Sequence, residues 1–204
     1  MSLHLIREIE RLKKLLLGLC AQVEEVVQQA VQSVEHRDAD LARKVIDTDI
    51  DIDRREVDTE EECLKSLVLY QPVAIDLRFV IAVLKINNDL ERIGDLAVNI
   101  AERSLFLSRQ PDLPIPFDFE SMAGKAQTML RNALDALINL DADAARAVCA
   151  MDDEVDQINR EMYDLVKQKI REEPEHLDAL IHLLSISRHL ERIADHATNI
   201  SEDI

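Results

Sequence analysis

Leu90-Glu91-Arg92-Ile93-Gly94-Asp95 recurs one hundred residues later as Leu190-Glu191-Arg192-Ile193-Ala194-Asp195, and the reading of the whole chain starts from that echo. Between residues 85–103 and 185–203, ten of nineteen aligned positions are identical without a gap. Packing alone would explain a shared apolar period. It does not require Glu, Arg, Asp, Asn and Glu to recur in step, so the chain is read as an internal duplication.

The repeat extends outward from there. Asp38-Ala39-Asp40-Leu41-Ala42-Arg43-Lys44-Val45 is echoed by Asp141-Ala142-Asp143-Ala144-Ala145-Arg146-Ala147-Val148. Around these segments the apolar residues fall at helical spacing, as in Leu5, Ile9, Leu12, Leu16, Leu19 and Val23. Six helices are expected. The first is capped by Ser2 and runs to about Glu35; the second, capped by Asp38, runs to about Tyr70. Pro72 opens the third, which runs to about Arg109. The fourth covers about Asp118–Leu140, the fifth runs from an Asp141 cap to near Glu173-Pro174, and the sixth reaches the C-terminus. Pro111, Pro114 and Pro116 cannot continue a helix. Residues 110–117 are therefore read as a linker between repeats at 1–109 and 118–204. Short connections force antiparallel neighbours, which predicts an all-α fold of two tandem, spectrin-like up-down-up three-helix bundles.

The totals agree. Of 204 residues, 47% are apolar and 32% charged, aromatics are 3%, and Gly numbers three. Leu, Ile, Val and Ala dominate the apolar set, which favours helix and a soluble core. A net charge of −17 would repel a phosphate backbone, so nucleic acid is excluded as a partner. Cys20, Cys63 and Cys149 are odd in number and form no C-x-x-C, which argues against disulfides and cysteine-zinc sites. No signal peptide or membrane span is legible, and the expected compartment is the cytoplasm. The three glycines form no phosphate loop or dinucleotide fingerprint, and no nucleophilic triad is visible. The chain is not expected to be an enzyme.

What it does carry is paired carboxylates. At 100° per residue, Glu91, Asp95, Asn99 and Glu102 lie on the side of their helix away from its main apolar stripe, as do Glu191, Asp195, Asn199 and Glu202. On the preceding helices, Asp49, Asp53, Glu56 and Glu60 share one face, with Asp152, Asp156 and Asn159 as the repeat. Counting back from the turns marked by Pro72 and Pro174 sets Asp53 level with Glu91 and Asp49 with Asp95. It likewise sets Asp156 level with Glu191 and Asp152 with Asp195. Four converging carboxylates repel one another, so Arg92 and Arg192, or a multivalent cation on hard oxygen ligands, are expected to offset them. Iron, manganese and magnesium suit such a donor set; solvated charges on an exposed face are the bland alternative. His182, His189 and His196 border the apolar stripe and are expected to pack, not to ligate. The E-x-x-H at Glu173–His176 sits at a turn, has no second copy, and is rejected as a di-iron motif.

Three features together resemble the PhoU family of bacterial phosphate uptake: the repeated L-E-R-I-[GA]-D, the hairpin Gln71-Pro72-Val73-Ala74-Ile75-Asp76-Leu77-Arg78, and the tandem three-helix layout across the chain. The resemblance implies a cytoplasmic, homodimeric, non-enzymatic regulator of phosphate uptake and of the phosphate-starvation response. Its partners would be the ATPase subunit of the phosphate ABC transporter and the phosphate sensor histidine kinase, with membrane association only through them. It also implies metal clusters on E(D)-x-x-x-D motifs, which fall on Asp49/Asp53, Glu91/Asp95, Asp152/Asp156 and Glu191/Asp195. Iron ranks first as the metal, ahead of zinc, manganese and magnesium. The competing reading is a carboxylate-bridged metal store or metalloenzyme. The D-L-R of the first hairpin has no counterpart after Pro174, where His176-Leu177-Asp178-Ala179 stands.

Overall fold

A computed structural model of the chain describes residues 3–110, 115 and 118–204. Among these the fold is all-α, with seven helices: α1 (Leu3–Glu35), α2 (Ala39–Tyr70), α3 (Ile75–Leu107), α4 (Phe119–Asn139), α5 (Ala142–Cys149), α6 (Asp152–Glu172) and α7 (Leu177–Glu202). A 3₁₀ turn, Pro174–His176, precedes α7. The expected cap Ser2 and the prolines of the linker lie outside the described residues.

Each half passes from its first helix to its second by the same stop-and-restart. Arg37 and Leu140 take left-handed backbone, with φ of 53° and 52°. Behind them the amide of Asp38 bonds the Ser33 carbonyl at 3.0 Å and that of Asp141 the Ala136 carbonyl at 2.9 Å, which closes the preceding helix. Each Asp then caps the next helix: Asp38 Oδ1 accepts from the amides of Asp40 and Leu41, and Asp141 Oδ1 from those of Asp143 and Ala144. Both caps are as expected from the sequence.

Two expected boundaries are corrected. Pro72 does not open the third helix; it stays in the hairpin loop, and α3 begins at Ile75. Val73–Asp76 instead form a turn, closed by the Asp76 amide on the Val73 carbonyl at 3.2 Å. In it Ala74 adopts φ 52°, ψ −117°, a geometry that glycine normally supplies. The single fifth helix is also two helices. Ala150 and Met151 keep right-handed backbone, but the Met151 amide bonds the Val148 carbonyl at 2.9 Å, three residues back. The chain tightens for one turn and α6 restarts at Asp152.

The halves do not stand apart. α3 and α7 pack antiparallel along much of their length, and one continuous apolar core runs through both. At the seam the Phe106 ring stacks on His182 with centroids 3.9 Å apart. His196 Nδ1 lies 2.8 Å from Asp89 Oδ1, and Lys85 Nζ donates to Asp203 Oδ1 at 2.6 Å. The three histidines therefore pack between the halves. Neither ring nitrogen of His189 is hydrogen-bonded. Among the described residues no helix is long and apolar enough to cross a membrane.

Candidate functional site

The α2/α3 hairpin brings the first carboxylate set together on one flank. The register is pinned by Asn87 on α3, a buried side chain whose Nδ2 donates to the Glu56 carbonyl at 2.9 Å and to Glu56 Oε1 at 3.1 Å. One and two turns further along α3 come Glu91 and Asp95, beside Asp49 and Asp53 of α2. Asp49, Glu56, Glu91 and Asp95 are half-buried and Asp53 is exposed. They lean against the neighbouring helix, so they are less solvated than a wheel drawn for one helix suggests.

Their electrostatics record the crowding. Burial raises Asp49 above the usual carboxylate range, and the charges of Asp53, Asp95 and Glu102 push it further. Glu91 is raised by burial and then by Asp95, with Arg92 opposing, and Asp53 and Glu56 adding. Glu56 is raised by burial, by Glu60 and by Asp53. Arg92 offsets part of this: its Nε lies 3.3 Å from Glu91 Oε2 and its Nη1 3.2 Å from Asp95 Oδ2.

The second set repeats the plan on α6/α7 with different support. Asp152 is raised by burial and then by Asp195, Asp156 and Asp153. Burial also raises Glu191, followed by Asp195 and Asp156, and it raises Asp195, followed by Asp156. Because the helix restarts there, Asp152 stands at the N-terminus of α6, where backbone N–H groups favour its charge. Its counterpart Asp49 lies in mid-helix. Arg192 forms no ion pair among the described residues, although its charge, as expected, lowers Asp195; the close contact comes from Arg160 on α6, which reaches Asp156 at 3.0 Å. Where the first half has Asn87 on Glu56, the second has a neutral pair, Ser187 Oγ donating to Asn159 Oδ1 at 3.0 Å.

All eight predicted ligands thus sit in two groups whose members sense one another's charge. Among the described residues, however, no three His, Cys, Asp or Glu side chains are gathered around a single point as a closed metal cage. The two observations are compatible: like charges on flexible side chains splay apart, and Arg92 and Arg160 draw their partners sideways. The donor set is all oxygen, the kind that hard cations take. Cys20 and Cys63 are buried and free, and burial pushes their thiols up to about 12, so they offer no thiolate. The Asn87–Glu56 link was missed in the sequence, although Asn87 stands one turn ahead of Glu91 and was open to the same wheel.

The family model described as "PhoU domain" matches the chain twice, over residues 16–104 and 119–204. The "phosphate-specific transport system accessory protein PhoU homolog 1" of Thermotoga maritima is 34% identical over 202 residues, covering 98% of this chain and 87% of that protein. The "phosphate-specific transport system accessory protein PhoU homolog" of Pseudomonas putida is 35% identical over 196 residues, covering 96% of this chain and 77% of that protein. Among solved structures, PhoU from Pseudomonas aeruginosa superposes with a TM-score of 0.94 at 34% identity, covering 97% of this chain and 95% of that one. The phosphate transport system regulatory protein PhoU from Streptococcus pneumoniae gives 0.85 at 30% identity, covering 98% and 94%.

Proposed function

The chain belongs to the PhoU family, and from that premise we propose that it is a cytoplasmic accessory regulator of phosphate-specific transport with no reaction of its own. In this reading residues 1–109 and 118–204 are its two repeats, and it works as a homodimer. It docks on the ATPase subunit of the phosphate ABC transporter and on the sensor histidine kinase, and holds down uptake and the starvation response when phosphate is ample.

The observation that carries the reading is the twofold recurrence of level carboxylate rows on one flank of each hairpin, in a chain of that family. Asp49, Asp53, Glu91 and Asp95 would hold one set of oxygen-ligated ions and Asp152, Asp156, Glu191 and Asp195 another. Iron is the first candidate, before zinc, manganese or magnesium. A bound cation supplies positive charge where burial and mutual repulsion now raise Asp49, Glu91, Asp152, Glu191 and Asp195. The protein's own part is to bring two helices level, so that carboxylates from both would be at hand to hold an ion.

A store or metalloenzyme of the bundle-core kind is less well supported. It needs ligands pointing inward, and the inward positions here are apolar: Ile52, Leu90 and Ile93, and Val155, Leu190 and Ile193, are all buried.

Two measurements test the proposal. Elemental analysis of untagged protein prepared without chelators should find metal, and an Asp95→Asn, Asp195→Asn variant should lose it. Calorimetry against the transporter ATPase and the kinase, at high and low phosphate, should find binding. Absence of binding to both partners in both conditions defeats the adaptor; absence of metal in parent and variant alike defeats the ion sites alone.

A further inference from the structure

Beyond the carboxylates, toward the first hairpin's tip, the same flank turns apolar. Half of the exposed large apolar side chains among the described residues fall between Val57 and Ile81. Leu64 and Val68 form an i, i+4 row on α2, and Leu77 and Ile81 another on α3; the hairpin register sets Leu64 level with Ile81 and Val68 with Leu77. At the tip Val73 and Ile75 are 73% and 78% exposed, and Val68 is 74%. Exposed apolar side chains grouped in this way and rimmed by acids are the pattern of an interaction site.

The duplication supplies an internal control. The second-half counterparts of Leu64 and Val68 are Lys167 and Arg171, and those of Val73 and Ile75 are Glu173 and Glu175. All four belong to a hairpin of the same fold. The fold therefore does not need apolar residues at these four positions, and the first half keeps them for another reason; Leu77 and Ile81 have exposed apolar counterparts in Leu177 and Ile181, so the difference between the halves lies in the α2 row and the tip.

What covers the strip is indicated by its charges. Asp58, Glu60 and Glu61, next to it on α2, are exposed and form no ion pair among the described residues. The carboxylates of the first site continue beyond them, and Arg78 stands at the opposite, tip end. Two level apolar rows on neighbouring antiparallel helices leave a groove that one more helix can fill, on the side away from α1. Val57 to Val68 spans about 16 Å, three helical turns. We infer that the outer face of the α2/α3 hairpin, between Val57 and Ile81, is a docking groove for an amphipathic helix of a partner protein. That helix presents apolar residues at i, i+3, i+4 and i+7 and carries Lys or Arg at the end lying over Asp58, Glu60 and Glu61. The inference does not depend on metal at the carboxylates.

Fluorescence anisotropy on the full chain, in chelator, tests it with a labelled 18-residue Leu/Lys peptide having Leu at i, i+3, i+4 and i+7. A peptide of the same composition in shuffled order is the comparison. The ordered peptide should bind one to one and the shuffled one at least tenfold more weakly. Leu64→Lys with Val68→Arg, the residues of the second repeat, should weaken the ordered peptide at least tenfold. Leu77→Ser with Ile81→Ser, on the other helix, should do the same. Glu60→Gln with Glu61→Gln should weaken binding and flatten its salt dependence. Equal binding of the two peptides, or indifference to both apolar variants, overturns the inference. So does light scattering in which those variants turn a dimer into a monomer, since a second copy then covers the strip. Binding of wild type, but not of the variants, to phosphatidylcholine/phosphatidylglycerol vesicles assigns the strip to lipid and also overturns it.

Discussion

Gly94 on α3 faces Ile52 on α2 so closely that a Cβ on Gly94 would stand 3.1 Å from Ile52 Cδ1 and 3.2 Å from its Cγ2. Both residues are buried. The second half solves the same contact with the opposite distribution of volume: Ala194 occupies the Gly94 position and Val155 the Ile52 position.

That exchange predicts a coupled pair. Gly94→Ala gains about 1 kcal/mol of helix propensity but overpacks a buried side chain, at about 1–3 kcal/mol. The single variant should lose about 1 kcal/mol in urea unfolding. In an Ile52→Val background the same substitution should be neutral or stabilising, because one methyl has been removed from its path. A double-mutant cycle with less than about 0.5 kcal/mol of coupling would show that the two side chains do not compete for space.

Ala74 predicts a gain. Its φ of 52° and ψ of −117° fall where an L side chain is strained and glycine is not. Ala74→Gly should raise stability by about 1 kcal/mol and shift the thermal midpoint upward by a few degrees. The turn is exposed, so the new residue displaces nothing. An unchanged or lowered midpoint would mean that the turn stores no strain.

These positions also show what the sequence could and could not reveal. The carboxylate rows were legible because acids at i, i+4 and two proline-marked turns suffice to compute a face and a register. The Ala74 turn was not, because alanine at such a φ carries no turn signal. The break at Ala150-Met151 was hidden for a similar reason: alanine is the best helix former, and the backbone there never leaves the right-handed region. The seam was half visible. Periodicity placed His182, His189 and His196 beside the apolar stripe, but only the fold shows that the other half of the duplication covers them.

His189 predicts a pH dependence. Burial, followed by Arg103, Arg192 and Arg188, lowers its pKa from 6.5 to about 4, and both ring nitrogens lack partners. The folded protein therefore holds it neutral, while the unfolded chain takes up a proton near pH 6.5. Its contribution to stability is complete above pH 6.5 and is lost as the pH falls toward 4, by about 1–3 kcal/mol after allowing for its partial exposure. His189→Leu should flatten the urea midpoint between pH 7 and pH 4.5 and raise it most at the acid end. A variant that keeps the parent's acid slope would place the titration elsewhere.

The carboxylates predict the opposite sign. Asp152, Glu191 and Asp195 have folded pKa values raised by burial and by one another. The folded state therefore holds protons more tightly than the unfolded chain. The stability this gives is present below the ordinary carboxylate range and is lost as the pH rises through the raised values. At neutral pH, in chelator, repulsion within the set is only partly offset by Arg160, Arg188 and Arg192, and Asp195→Asn should raise the thermal midpoint by about 1–2 °C. Added metal should reverse the ranking. Each occupied set adds stability as RT ln(1 + [M]/Kd), about 2.7 kcal/mol at a hundredfold excess over Kd; the parent gains from both sets, while the variant keeps only the gain from the first. Melting curves of both proteins, with and without ferrous iron under anaerobic conditions, separate the cases. If the parent is the more stable in chelator, mutual repulsion is not what the acids experience. If iron lifts both equally, the ion sits elsewhere.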